Sequence, residues 1–401
     1  MSFHGGRGGP HSPVVHPGAP FTRRVRSVGV PIGVLILLGT LAGLLVILLT
    51  AVNPAGTAVG FVLSSVAMTV VVLAYLWLDR WEPEPPRLLL FAFLWGTSVA
   101  VIMSAALQLV LEMALFPGAS AADDEALNPV TLVLGAPVTE ELAKGLFLVV
   151  MMTGVRRHEM NSLTDCLVYA GLVGAGFAWL EDILYIANGE SLADSLTTAA
   201  LRLIMSPFAH SLFTTMFALG VWFALHRRST VAAMLCLLAG YAGAVVLHAM
   251  WNGSALLGAG GYFVVYLFWM MPVFAAAVAL ALYQRRREQR VVAAKLPGMV
   301  DAGVITDNEA SWLGSIPSRK RAIAEATRLG GKPAGRSVEH FAQQVVELAF
   351  VRDRIDRGFG DQRVAALFAD ETYAVYAARA GSPALQHMAG YRAAGTQPPG
   401  R

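Results

Sequence analysis

The sequence predicts an all-α fold: a polytopic membrane bundle of about eight transmembrane helices, followed by a small C-terminal helical cytoplasmic region. Three observations lead there. Of the 401 residues, 56% are hydrophobic and 14% are charged, whereas soluble proteins carry about 25% charged residues. The apolar residues lie in runs that reach the ~20 residues needed to cross a bilayer. Basic residues return in every second loop. An ordinary soluble enzyme and a disordered chain are both excluded. The two cysteines, Cys166 and Cys236, lie inside apolar runs and read as buried thiols, not as a disulfide framework.

Residues 1–28 are rich in Gly, Pro and His and carry Arg7, Arg23, Arg24 and Arg26. They are expected to be a disordered basic tail, in which His4, His11 and His16 do not read as a metal site. The next run is too long for a cleaved signal peptide and begins the bundle, 29–283. Spans are placed at 29–52, 57–78, 88–116, 130–153, 163–187, 199–225, 231–253 and 261–283. They must be helices, because an open segment in lipid has to satisfy its own backbone N–H and C=O groups. Arg80 and Arg87, Arg156 and Arg157, Arg227 and Arg228, and Arg285 to Arg287 mark one side of the membrane together with the N-terminal tail. The loops 52–57, 117–129, 188–198 and 254–260 have no Lys or Arg, and the second of these carries Asp123, Asp124 and Glu125. This places both termini in the cytoplasm of a cell whose plasma membrane holds the chain, expected to be bacterial. In 284–401 charge returns, Pro297, Gly298, Gly330, Gly331 and Pro333 punctuate the chain, and apolar residues recur at helical spacing in 338–351 and 363–379. This tail reads as a helical cytoplasmic domain with a solvated basic surface, where a cytoplasmic protein partner could bind.

Charges near the bilayer centre cost ~2.5–3.5 kcal/mol or more, so each needs a reason. Within the spans they are Glu112, Glu140, Glu141, Lys144, Glu181, Asp182 and Arg202, joined by His210 and His248. All but Glu112, read as a packing residue, lie in spans four to seven. Adjacent carboxylates such as Glu140 and Glu141 cannot both ionise cheaply in low dielectric, and Lys144 at i+4 and i+3 can pair with either. Such a pair suits general-base activation of water. In span five, Phe177, Glu181 and Tyr185 share a face, and Gly174 and Gly176 permit close helix approach. His210 and Thr214 lie one turn apart, as do His248 and Asn252. Arg202 either snorkels outward or counters Glu181 or Asp182. At 1.5 Å rise per residue, Glu140 and His210 fall ~15 Å, Glu181 ~10 Å and His248 ~8 Å from the outer helix ends. Four helices would thus deliver polar groups to one layer open to the outer side.

These motifs resemble the PrsW family of intramembrane proteases. The matching segments are Glu140-Glu141-x-x-Lys144, the Gly-x-Gly-Phe-x-x-x-Glu run at 174–181, Arg202 followed by His210-x-x-x-Thr214, and His248-x-x-x-Asn252. The loop from Asp79 to Pro86 is also similar. The resemblance covers about 75–253 and extends to type II CAAX prenyl endopeptidases and bacteriocin-processing homologues. It implies hydrolysis of a peptide bond in a membrane-anchored protein, such as an anti-sigma factor, near the outer face. Asp182 departs from the family, which usually has Asn there.

The resulting expectation makes Glu140 the general base, held by Glu141 and Lys144. Glu181, His210 and His248 then form a centre that binds Zn²⁺ or orients the water. A metal-free alternative lets Glu140 and Glu181 prepare the water while His248 and Asn252 stabilise the oxyanion. Asp182, Arg202 and Thr214 support the site. No nucleic-acid partner is expected. Intramembrane acids also mark proton-coupled transporters, but no inverted repeat is visible, and a non-catalytic membrane scaffold is the third reading.

Overall fold

The computed structural model describes residues 29–81, 83–116, 129–153, 157, 159–160, 162–359 and 362–393. The N-terminal tail, Glu82, the acidic loop Asp123–Glu125 and Arg156 lie outside these. The described residues are helical and include several helices long and apolar enough to cross a membrane, among them Pro54–Leu78, Pro86–Leu115, Leu163–Ala187 and Leu192–Leu225. This is the architecture of an integral, polytopic membrane protein.

Helix α1 (Gly29–Val52) and α2 (Pro54–Leu78) are joined at Asn53. Asn53 caps α2 by accepting from Gly56 N–H, and Pro54 takes the first helical position, where no N–H is needed. Helix α3 (Pro86–Leu115) carries a π-helical turn at Trp95–Ala100. A second π turn, Thr131–Gly135, leads into α4 (Ala136–Met151). Helix α5 (Leu163–Ala187) is opened by a capping box between Ser162 and Asp165. Helix α6 (Leu192–Ala199) runs into the π turn Ala200–Met205, and α7 (Ala209–Leu225) starts after a break. Pro207 lies in that break, where its missing N–H and its effect on the preceding residue end the ladder. Helix α8 (Thr230–Ser254) is followed by a reversal at Gly258, whose φ of +68° suits glycine. Helix α9 (Gly258–Val265) continues through a π turn, Tyr266–Met270, into α10 (Met271–Asp301).

Helix α5 is the hub. In its apolar stretch 94% of the residues are buried, although its sequence is no more hydrophobic than its neighbours'. Glycine explains the difference. A Cβ on Gly176 would stand 2.0 Å from Phe93 O, and one on Gly96 would stand 2.0 Å from Val173 O. Helices α3 and α5 therefore cross backbone against backbone, and Thr97 Oγ1 donates across the contact to Gly176 O at 3.1 Å. On another side, a Cβ on Gly174 would fall 2.6 Å from Ser211 Cα, so α7 closes on α5 at the level of His210.

Beyond the bundle, α10 passes straight through residue 284 and through Pro297. The lost hydrogen bond at Pro297 is offset by Leu296 and Met299, which enter a second core. That core joins α11 (Asp307–Leu313), α12 (Ile316–Arg354), α13 (Gln362–Ala380) and α14 (Ala384–His387) around Trp312, Phe341 and Val345. Gly330 and Gly331 kink α12, with φ of +73° at Gly331. Trp81, from the loop after α2, is 3% exposed and belongs to this same core.

Gly176→Ala should overpack the α3–α5 crossing and lower stability by about 1–3 kcal/mol. Gly43→Ala, where an added Cβ meets nothing within 4 Å, should be neutral or stabilising. Thermal unfolding of both variants in detergent checks the contrast.

Candidate active site

The site is assembled where α4, α5, α7 and α8 meet. Helix α4 contributes the adjacent Glu140 and Glu141 and, one turn on, Lys144, all buried. Lys144 is 0% exposed, and its Nζ lies 2.8 Å from Glu141 Oε1 and 3.2 Å from Glu140 Oε2. It also lies 2.9 Å from His210 Nδ1 and 3.9 Å from the centre of the Phe177 ring. A buried ammonium needs this full set of partners to be tolerated.

The two imidazoles are each held from behind by a carboxylate. His248 Nδ1 lies 3.0 Å from Glu141 Oε1, and His210 Nε2 lies 2.6 Å from Glu181 Oε2. A carboxylate accepts there, which assigns the ring proton to those nitrogens. The lone pairs of His248 Nε2 and His210 Nδ1 are then left to face inward. Both converge on Glu140 Oε2, at 3.8 Å and 4.0 Å. Phe213 stacks on His248 with ring centres 4.6 Å apart, and Phe177 packs against His210 at 5.2 Å. These aromatic rings pack against both imidazoles.

Thr214 Oγ1 donates to His210 O at 2.9 Å and reaches Glu141 Oε2 at 3.3 Å. Arg202, on the π turn, uses its Nε to pair with Asp182 Oδ1 at 2.5 Å and its Nη2 to pair with Glu181 Oε2. Its guanidinium also lies over Tyr185, 4.2 Å from the ring centre. Arg202 thus counters both acids and does not snorkel away. Asn252 donates to Leu132 O at 3.0 Å, which ties α8 to the π turn preceding α4. Glu112 stays apart and accepts from Gln108 at 3.2 Å.

One ligand atom each from Glu140, His210 and His248 lies within 4.8 Å of the others, and all three residues are buried. The donor chemistry fits a metal: two inward lone pairs and a carboxylate oxygen, with each ring nitrogen behind them hydrogen-bonded to a carboxylate, as metal-bound histidines usually are. Lys144 faces two of the same donors, so a metal would compete with its ammonium. Glu181, grouped with the ligands from sequence, stands one layer out, behind His210. Phe213, Trp95 and Tyr241 had no role in the sequence reading. Phe213 follows His210 by three residues, a spacing that could have placed it beside the site. Trp95 Nε1 donates to Ala143 O at 3.1 Å and Tyr241 OH to Val138 O at 2.7 Å, and both steady α4.

A family model described as PrsW family intramembrane metalloprotease matches residues 84–277. That segment contains every residue of the site. The chain is also 32% identical over 152 residues to Protease PrsW of Geobacillus kaustophilus (strain HTA426), a match covering 38% of this chain and 60% of that protein. No solved structure matches the chain. The family that the four motifs resemble is therefore the one whose model matches just under half of the chain, the PrsW family of intramembrane metalloproteases.

Proposed function

We propose that the chain is an intramembrane protease that hydrolyses a peptide bond of a membrane-anchored protein. The observation that carries this reading is the convergence of Glu140, His210 Nδ1 and His248 Nε2 on one buried point, with carboxylates bracing both rings. The match to a metalloprotease family supports it. The loop charges favour a site open to the outer side of the membrane, and a membrane-anchored anti-sigma factor is the substrate class that the resemblance suggests.

In the metal reading, Glu140, His210 and His248 hold the ion, which is Zn²⁺ by donor type. When bound there, such an ion would supply Lewis-acid chemistry toward a carbonyl oxygen or a water. Glu141 and Glu181 hold the protons of His248 Nδ1 and His210 Nε2, and so keep the other ring nitrogens available. Lys144 offsets the charge of Glu140 and Glu141. Glu181 braces His210 from behind through Nε2, and Arg202 orients it. The ligand role expected of Glu181 from sequence thereby passes to Glu140 in this reading.

A second reading rests on Lys144 Nζ, which already places a cation between Glu140 and His210. Without a metal, Glu140 would take the proton from water, and His248, carrying a second proton on Nε2, would stabilise the oxyanion.

Metal content and cleavage, measured on folded variants, separate these readings. In the first, wild type carries about one Zn²⁺ per chain, Glu140→Gln loses metal and activity together, and Glu181→Gln, which removes the charged acceptor behind His210, weakens metal binding by about 10–100-fold. Retention in Glu140→Gln with loss in Glu181→Gln would return the ligand role to Glu181. A metal-free active wild type would favour the Lys144 reading. A folded Glu140→Gln with undiminished cleavage would overturn the site itself.

Glu141→Ala removes the acceptor behind His248 and leaves Lys144 with one carboxylate. Metal affinity should fall by about 10–100-fold, read by competition with a chromogenic chelator.

A further inference from the structure

Helix α12 begins with Ser315 as N-cap, followed by Ile316, Pro317, Ser318 and Arg319. Its first turn has no acidic residue, yet acids are what a helix N-terminus favours. Instead, Arg319, Lys320 and Arg321 stand in succession there. Lys320 and Arg321 are exposed. Arg319 is not: it is 8% exposed, and burial alone pushes its guanidinium down to about 10. Its one described contact is the face of Trp81, 4.4 Å from the ring centre. Among the described residues, no hydrogen bond or ion pair reaches the guanidinium. The other buried lysine or arginine among the described residues, Lys144, has two carboxylate partners.

A largely buried arginine without a counter-charge is unfavourable, and a ligand that supplies one would relieve it. Its nitrogens are not among the fully sealed unpartnered atoms, which are Ser64 Oγ and Thr164 Oγ1. An edge of the fork therefore remains open to a ligand. One face is closed by Trp81, which leaves the in-plane donors for a tetrahedral or planar oxyanion. The position is equally informative. Trp81 stands three residues beyond the last residue of α2, a helix that can cross the membrane. Arg80 beside it is exposed, and Arg285 lies over Trp77 at 3.7 Å. Trp77, which is exposed, together with Arg80 and Arg285 at this helix end, marks the level of phospholipid headgroups.

We propose that Arg319, stacked on Trp81 at the start of α12, is the centre of a phosphate-binding site at the junction of the membrane bundle and the C-terminal helices. The ligand is a phosphate group, carried by an anionic phospholipid or free in solution. The site is independent of the proposed protease centre.

The test uses the full-length chain, purified in detergent and stripped of lipid. Thermal unfolding is followed with inorganic phosphate against chloride at equal ionic strength, and with phosphatidylglycerol against phosphatidylcholine in mixed micelles. Wild type should gain roughly 3 °C or more in Tm with a phosphate-bearing anion. Arg319→Gln should lose that gain, and Arg321→Gln should keep it. A gain with phosphatidylglycerol alone identifies a lipid headgroup. A gain with inorganic phosphate as well identifies a site for free phosphate. No gain with either, or equal gains in wild type and Arg319→Gln, overturns the proposal. If Arg319→Gln does not fold, Arg319→Lys replaces it, since lysine keeps the charge but not the planar fork, and an undiminished gain there overturns the proposal.

Discussion

The ammonium of Lys144 constrains everything around it. A cation that is 0% exposed in a membrane bundle is tolerated only where acids and lone pairs enclose it, and these come from two helices and three residues: Glu140 and Glu141 below it on α4, and His210 from α7. Once Glu141 is committed to Lys144 on one side, its contact with His248 draws α8 in. Once His210 presents Nδ1 to Lys144, its Nε2 requires an acceptor, and Glu181 on α5 supplies it. Glu181 and Asp182 then require Arg202. A chain of charge compensation thus links every helix of the site, and removing one member leaves a buried charge unmatched.

The backbone is arranged so that this chain can close. The glycines of α5 bring α3 and α7 within van der Waals contact of its main chain, which puts Glu181 and His210 in hydrogen-bonding range. Local widening of the helices does the rest. The π turn at Ala200–Met205 carries Arg202, and the one at Thr131–Gly135, held by Asn252, sets the start of α4. Such turns are costly in isolation and recur where side chains must be re-aimed.

Much of this was legible in the sequence because membranes make polar residues conspicuous. Glu140, Glu141, Lys144, Glu181, Asp182, Arg202, His210 and His248 stand out in an apolar background, and the structure brings all eight together. What could not be read was the order within the cluster. Which glutamate faces the inward lone pairs depends on rotamers and on which ring nitrogen each carboxylate meets, and spacing along a helix does not encode that. Asn252 is a similar case: its motif position suggested chemistry, whereas its amide spans to Leu132 O on another helix. In the C-terminal region the helical spacing of 338–351 was readable, but Pro297 read as punctuation. Tertiary packing of Leu296 and Met299 carries the helix through it. The burial of Trp81 had no local signal, since its partners lie more than two hundred residues away.

Helix α10 has a mechanical consequence. It has 31 residues, hence a length of about 46 Å, and it runs without a joint from the bundle into the C-terminal core. A flexible tether would let that core tumble. A continuous rod cannot, and the insertion of Trp81 adds a second anchor off the rod's axis. Two anchors on one body suppress rotation about the rod as well as bending. A torque applied to the C-terminal helices would therefore be felt by α2 and α10 inside the bilayer.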